Sequence, residues 1–280
     1  MKRNVIRRKM AEPKAKHDVE ARDGGVQSVD RALQIIETLA EDDEGYRLSD
    51  LAVRTGLSTS TAHRLLTTLE KRRFVQFDRP ESKWHVGARS FTVGATFARR
   101  RNFTAQAVPY LRKLRDLTRE TANLAVVDDE FIIVLTRMES REIMRSLTKV
   151  GGRVAMVTSG VGKAVLATYL DADVNAIIRH RGMPRLTEKS IVRPSDLFRE
   201  LRTIRRQGYA VDDEEAQVGL RCVAAVVHNN CAEALAAISV SGMTSRVTDE
   251  RLPMIGRMVR EVAAELTAAL GGVMPRFAES

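Results

Sequence analysis

The stretch Leu48–Phe74, LSDLAVRTGLSTSTAHRLLTTLEKRRF, constrains this chain more than any other. It reads as two short helices on either side of a tight turn. Ser49 caps a first helix over Asp50–Thr55, with the Asp50 carboxylate beside the positive helix end. Gly56 supplies a turn conformation that other residues resist, and Ser58 caps a second helix running to Arg72. Ala52 is small where the two helices must cross closely. On the second helix Ala62, Leu65, Leu66 and Leu69 recur on one face. Ser58, Thr59, Ser60, Thr61, His63 and Arg64 are left for the opposite face and the N-terminal end. Such short polar side chains at the start of a helix suit a DNA major groove. An ordinary helical hairpin would show the same spacing, so the next residues matter. Phe74–Phe77 and Lys83–Val86 alternate like strands around a Pro-containing turn over residues 78–82. Helix-turn-helix plus hairpin is a winged helix, with Arg79 and Lys83 of the wing placed to meet phosphate.

A chain of 280 residues has room for a second domain of its own. No apolar run approaches the roughly 20 residues that cross a bilayer, and the basic N-terminus is followed by no hydrophobic stretch of a secretory signal. Two cysteines, Cys222 and Cys231, and five scattered histidines make no metal spacing. The expectation is a cytoplasmic protein with no cofactor, no metal and no membrane partner.

The net charge of +10 invites a nucleic-acid reading, but its distribution weakens it. Residues 1–25 carry eight Lys/Arg against four acids, and residues 87–101 four against none. The winged-helix stretch 26–86 carries nine against ten. Its motif, not its charge, carries the DNA-binding reading. The acids Glu41, Asp42, Asp43 and Glu44 are expected away from the groove.

In chain order, residues 1–25 read as a disordered basic arm. The arm either adds salt-sensitive phosphate contacts or is a solvated tail. Residues 26–86 form the winged helix, opened by a helix Val29–Ala40 that Ser28 caps and whose stripe is Val29, Leu33, Ile36 and Leu39. Residues 87–102 form a linker helix with Phe91, Gly94, Ala95 and Ala98 on a face that permits close pairing with a partner. Arg99, Arg100 and Arg101 close it, as a helix C-terminal charge or as phosphate contacts. Residues 103–272 alternate between helix and strand, and 273–280 form a tail. In this second domain a helix over 104–120 carries Val108, Leu111, Leu114 and Leu117. Strands are expected at 123–127, 131–138, 143–147, 221–228 and 234–240, with helices at 159–170, 174–180, 197–207 and 249–270. The economical assembly is α+β, an antiparallel sheet with helices on one or both sides.

Three pieces of the second domain can converge on a small pocket. Ser159-Gly160-Val161-Gly162-Lys163 enters a helix through two glycines, leaving backbone N–H groups for an anion. It is not a P-loop, because Val157 and Ala164 stand at its defining positions. The segment from Gly208 to Cys222 places an acidic turn before a strand. Ser239 and Ser241 share one face of another strand. A hydrolase would need Cys222 and a base together, but His228 lies six residues along the same strand, roughly 20 Å away.

At these residues the chain resembles a known family. VQSVDRALQIIETLAE, LSDLAVRTGLSTSTAHRLLTTLE, IMRSLTKVGGRVAMVTSGVGKAVLA, GYAVDDEEAQVGLRCVAAVV and AAISVSG are similar to the IclR family of bacterial transcriptional regulators. The resemblance runs from Val26 to Gly272. It implies a winged helix, a linker helix and a GAF-like effector domain, working as a homodimer or a dimer of dimers. It looks closest to the branch that senses glyoxylate or pyruvate. There it implies that Gly160 and Val161 hold the ligand through backbone groups, with Asp212, Cys222, Ser239 and Ser241 contributing side chains and Leu220 lining the site. Val161 and Ser146 depart from the Ala and Met often found in the apolar lining of that branch.

The expected function is a regulator that reads palindromic operator DNA and senses a small 2-oxo acid, glyoxylate first, for genes of two-carbon metabolism. A related regulator sensing an aromatic acid is the alternative, and from another class an enzyme with a DNA-binding appendage.

Overall fold

The computed structural model of the chain describes residues 25–100, 103–140 and 149–275, with the backbone alone over 97–100. The expected arm, the strand at 143–147 with Ser146, Arg101, the side chains of Ala98, Arg99 and Arg100, and the end of the tail lie outside the described residues. Two compact units divide between Thr96 and Phe97, inside the helix expected to link them.

The first unit holds α1 (Gln27–Ala40), α2 (Leu48–Thr55), α3 (Thr59–Lys71), β1 (Val75–Asp78), β2 (Lys83–Val86) and the start of α4 (Ala88–Arg100). Gly56 ends α2 in the left-handed region at φ 66°, and Ser58 Oγ accepts the Thr61 N–H at 3.2 Å, as the sequence requires. Two caps differ. The structure begins α2 at Leu48, so Ser49 lies within the first turn and its hydroxyl donates to the Asp50 carboxylate at 3.3 Å. α1 begins at Gln27, which places Ser28 inside its first turn, and Val26 at the cap position offers no side-chain bond. The buried face of α1 is Ile35, Thr38 and Leu39, whereas Val29 and Leu33 stand 55% and 54% exposed. The stripe read from sequence therefore holds at Leu39, with Ile36 packed against the core, and fails at Val29 and Leu33, where Ile35 meets the core instead. That core joins Ile35, Leu39, Leu51, Leu66, Val75 and Trp84. Trp84 also exchanges backbone bonds with Tyr46, at 3.1 Å and 2.8 Å, which ties the wing to the segment before α2. On α4, Phe91 is 79% exposed.

The second unit is built on one antiparallel sheet in the order β5-β4-β3-β8-β7-β6. Its strands are β3 (Thr121–Asp128), β4 (Phe131–Met138), β5 (Arg153–Ala155), β6 (Ala210–Asp213), β7 (Leu220–His228) and β8 (Ala234–Met243). Helices cover both faces: α6 (Gly160–Leu166), α7 (Asp171–Arg181) and α8 (Pro194–Gln207) on one, α5 (Phe103–Thr118) and α9 (Leu252–Ala269) on the other. β7 shows why the two cores are distinct. Cys222, Ala224 and Val226 point to α6–α8, and Val223, Ala225 and Val227 to α5 and α9. Side chains alternate between faces, so a continuous apolar run serves two cores at once.

β5 at the sheet edge and β6 were not expected, since each is short and β6 ends in two aspartates. Both are fixed by pairing, β6 through Asp212 opposite Cys222. α5 buries Ala107, Leu111, Leu114 and Thr118, so Leu117, 49% exposed, falls off the core face and Val108 is only half-buried.

Candidate functional site

On α3 the side chains of Thr59, Ser60, His63 and Arg64 are exposed together along the N-terminal turns. Ser58 and Thr61 differ from them. The Ser58 hydroxyl both caps the helix and donates to Thr61 Oγ1 at 2.8 Å, so these two hydroxyls stabilise the helix start that presents the others. In the wing Arg79 is exposed at the turn. Lys83 is half-buried, 3.2 Å from Glu81 and 4.0 Å from Glu44. Glu44, expected away from the binding surface, thus stands at the base of the wing. The wing's positive potential rests more on Arg79 than on Lys83.

In the second unit, strand register brings the predicted side chains together. Asp212 pairs with Cys222, Cys222 with Ser241, and Ser239 with Asn123. Cross-strand partners share a face, and this one faces the start of α6. Val161, Asp212, Leu220, Cys222, Ser239 and Ser241 all line a cavity of about 80 Å³. Gly160 backs it at close range. A Cβ at that position would stand 2.9 Å from the Cys222 carbonyl and 3.3 Å from its sulfur, so only glycine lets α6 approach β7 here. Ser159 caps α6, its hydroxyl accepting the Gly162 N–H at 3.0 Å. The first intrahelical bond runs from the Lys163 N–H to the Ser159 carbonyl. The N–H groups of Gly160 and Val161 precede that bond.

Burial sets the chemistry. Asp212 is pushed up to about 6, because desolvation outweighs the N–H bonds it accepts from Glu215 at 2.7 Å and Ala216 at 3.3 Å. The Cys222 thiol is pushed up to about 11 by burial and by the neighbouring Asp212 charge, against the hydrogen bonds of Ser241 and Ser239. It is a neutral thiol, not a nucleophilic thiolate. His228, at the far end of β7, faces a different cavity and gives Cys222 no base.

Several contributing residues carried no sequence expectation. Asn123 lines the cavity, its amide donating to Ser239 and Ser241 at 3.4 Å each. Its position two residues after Thr121, polar in an apolar strand, was the available signal. Gln217 also lines it, with a buried Oε1 that finds no partner among the described residues. Lys163 is fully buried and does not line the cavity. It is ion-paired to Glu215, with Glu200 at 3.6 Å, beneath the acidic turn that holds Asp212. Glu215 is pushed up to about 7, burial prevailing over the Lys163 charge.

Family models match both units. The description "IclR helix-turn-helix domain" covers residues 28–79, and "Bacterial transcriptional regulator IclR C-terminal" covers residues 95–268. The chain belongs to the IclR family. It is 40% identical over 251 residues to the acetate operon repressor of Salmonella typhimurium, spanning 89% of this chain and 92% of that one. It is 39% identical over 252 residues to the transcriptional repressor IclR of Escherichia coli, at the same coverage. The crystal structure of an IclR transcriptional regulator from Alicyclobacillus acidocaldarius superposes with a TM-score of 0.75 at 26% identity, covering 88% of this chain and all of that one. This IclR-family chain is a transcriptional regulator with a DNA-binding helix-turn-helix, not an enzyme. Among the described residues no helix is long and apolar enough to cross a membrane.

Proposed function

We propose that the second unit senses a small 2-oxo acid, glyoxylate before pyruvate, and that this regulator controls genes of two-carbon metabolism. The observation that carries the ligand is the cavity itself, where Asn123, Asp212, Cys222, Ser239 and Ser241 crowd into about 80 Å³. Pockets for drug-sized ligands run to roughly 300–1,000 Å³, so this volume favours a ligand of a few heavy atoms over an aromatic acid, with Val134, Val154, Val161 and Leu220 lining the cavity beside the polar groups. The name of the acetate operon repressor, the 40% identical relative, points to the same metabolism.

Hydroxyl donors from Ser239 and Ser241, with the N–H groups of Gly160 and Val161, suit the carboxylate. Asp212 suits the opposite end. Ionised, it accepts from the hydroxyls of a hydrated aldehyde; protonated, it donates to a carbonyl oxygen. Glyoxylate has so few heavy atoms that a ceiling of ~1.5 kcal/mol per atom caps its binding near low micromolar. The ligand shifts the regulator only by its differential affinity for two conformations.

In the first unit Thr59, Ser60, His63 and Arg64 read bases, Ser58 and Thr61 hold the helix start, and Arg79 with Lys83 meets phosphate. A palindromic operator and a homodimer or dimer of dimers paired through α4 complete the reading, in the cytoplasm. Titration calorimetry with glyoxylate, pyruvate and 4-hydroxybenzoate tests it. Saturable micromolar glyoxylate binding, lost in Cys222→Ser, is the expected result. Binding of 4-hydroxybenzoate alone would overturn the ligand class and leave the DNA reading standing.

A further inference from the structure

The sensor unit holds a second cavity, also of about 80 Å³, at the other end of α6. Ala164, Ala167 and Val226 form apolar walls, and Arg205, Tyr209, His228 and Arg260 are its charged or titratable lining. His228 is 5% exposed, and among the described residues neither of its ring nitrogens has a hydrogen-bond partner. Its backbone N–H is engaged by Thr267 Oγ1 at 3.1 Å. Burial holds the imidazole below its usual pKa, so the ring is neutral, with one donor and one acceptor. Buried polar side chains in folded proteins nearly always find a partner. A histidine with both nitrogens unmatched on a cavity wall is therefore half of an interaction.

The two arginines are not equivalent. Arg205 is committed to the fold, Nε donating to the Ala167 carbonyl at 2.9 Å and Nη2 to the Tyr169 carbonyl at 3.0 Å. Arg260 is exposed, and its Nη1 makes a long contact of 3.3 Å to the Gln207 carbonyl, using one of five guanidinium donors. Its stem lies over Gly208, where a Cβ would come within 2.7 Å of Arg260 Cδ. The glycine that ends α8 in the left-handed region, at φ 78°, also makes room for the arginine at this rim. In a space this small, His228 and Arg260 are both within reach of one small molecule.

We propose that this cavity is a second ligand site of the regulator, taking a monocarboxylate with a compact apolar body. The carboxylate sits on the Arg260 guanidinium and accepts the His228 ring N–H, and the body packs on Ala164, Ala167 and Val226. The site is independent of what fills the cavity at Cys222, from which it is separated by the length of α6.

The test uses the full chain, with isobutyrate and isovalerate as probes and their amides as neutral isosteres, followed by calorimetry and by the imidazole NMR signals of His228. Saturable binding of a carboxylate probe, with a shift of the His228 ring signals and no competition from glyoxylate, is expected. It should persist in Cys222→Ser and weaken roughly tenfold or more in Arg260→Gln, the size of a lost charge-assisted hydrogen bond. Arg260 is exposed, so that variant keeps the fold, whereas His228→Leu serves as a second check. No binding up to millimolar concentration overturns the proposal. So does equal binding of the amides, loss of binding in Cys222→Ser, or indifference to Arg260→Gln.

Discussion

The two units of this regulator place their functional polar groups in opposite settings. On α3 they stand in water, along the exposed turns of one helix. In the sensor they are buried, on four strands that only the sheet register brings together. The first arrangement is set by local rules, so a change at Thr59, His63 or Arg64 disturbs little beyond itself and even the Ser58 cap acts only within its own turn. In the second Asn123, Asp212, Ser239 and Ser241 depend on partners, and Asp212 and Glu215 have their protonation set by burial. Loss of an exposed base-facing side chain such as Arg64 should therefore act on binding alone in the reader, whereas a loss in the sensor should act on binding, folding and pH response together.

The largest effect should come from Lys163. Removing one partner of a buried ion pair costs about 3–5 kcal/mol, because the other charge stays buried. Lys163→Met leaves Glu215 without its counter-charge, and part of the loss is relieved as Glu215 takes up a proton. The melting transition of the sensor should fall by several degrees while that of the winged helix stays in place. Adding Glu215→Gln should recover most of the loss. A sensor melting unchanged in Lys163→Met would mean that the pair contributes no stability.

A reciprocal pair of variants comes next. Arg64→Gln, on an exposed face, should weaken operator binding by about 1–3 kcal/mol if it reads a base and leave glyoxylate binding unchanged. Cys222→Ser or Asp212→Ala should abolish the ligand response and leave operator affinity in the absence of ligand as it was. Mobility-shift titrations with and without glyoxylate read both. A Cys222→Ser protein with a normal response would remove the thiol from the site.

The same contrast governs how much could be read from the sequence. The reader was legible because Gly56, Ser58 and the Ala62–Leu69 row each act within a few residues of themselves. The caps Ser49 and Ser28 failed, since helix starts slide where more than one residue can begin the turn, and the stripe on α1 took in Val29 and Leu33, which stand exposed. The family resemblance named the proposed effector residues, and register explains why those on β6, β7 and β8 meet at the start of α6, where Gly160 and Val161 lie. Asn123, Gln217 and the Lys163–Glu215 pair were not legible. Asn123 meets Ser239 and Ser241 116 and 118 positions away, Lys163 meets Glu215 52 positions away, and nothing local marks a lysine destined for complete burial.

Protonation of Asp212 sharpens the comparison further. Its folded pKa of about 6 lies above the ordinary carboxylate value of 3.8, so the folded state holds the proton more tightly. The neutral-Asp212 contribution to stability is complete below the ordinary value and fades as pH rises through about 6. An anionic ligand beside this group should follow the same sign. Glyoxylate should bind more tightly as pH falls through about 6, up to roughly tenfold per pH unit above that point. The Asp212→Asn variant should lose this dependence. A flat profile in the unmodified protein would mean that glyoxylate binds equally well to ionised and protonated Asp212, through the hydroxyls of its hydrated aldehyde or its carbonyl oxygen.

The smallest effect belongs to the reader. Ser58→Ala removes the side-chain bond to the Thr61 N–H and also the hydroxyl contact that orders Thr61. Losing such a cap costs about 1 kcal/mol, a shift of a few degrees in the winged-helix transition. Because this cap is exposed and local, the sensor transition and its ligand affinity should not move. Operator affinity should fall only by the fraction of α3 that frays. A loss as large as that of Arg64→Gln, at unchanged helix stability, would show instead that the Ser58 hydroxyl touches DNA directly.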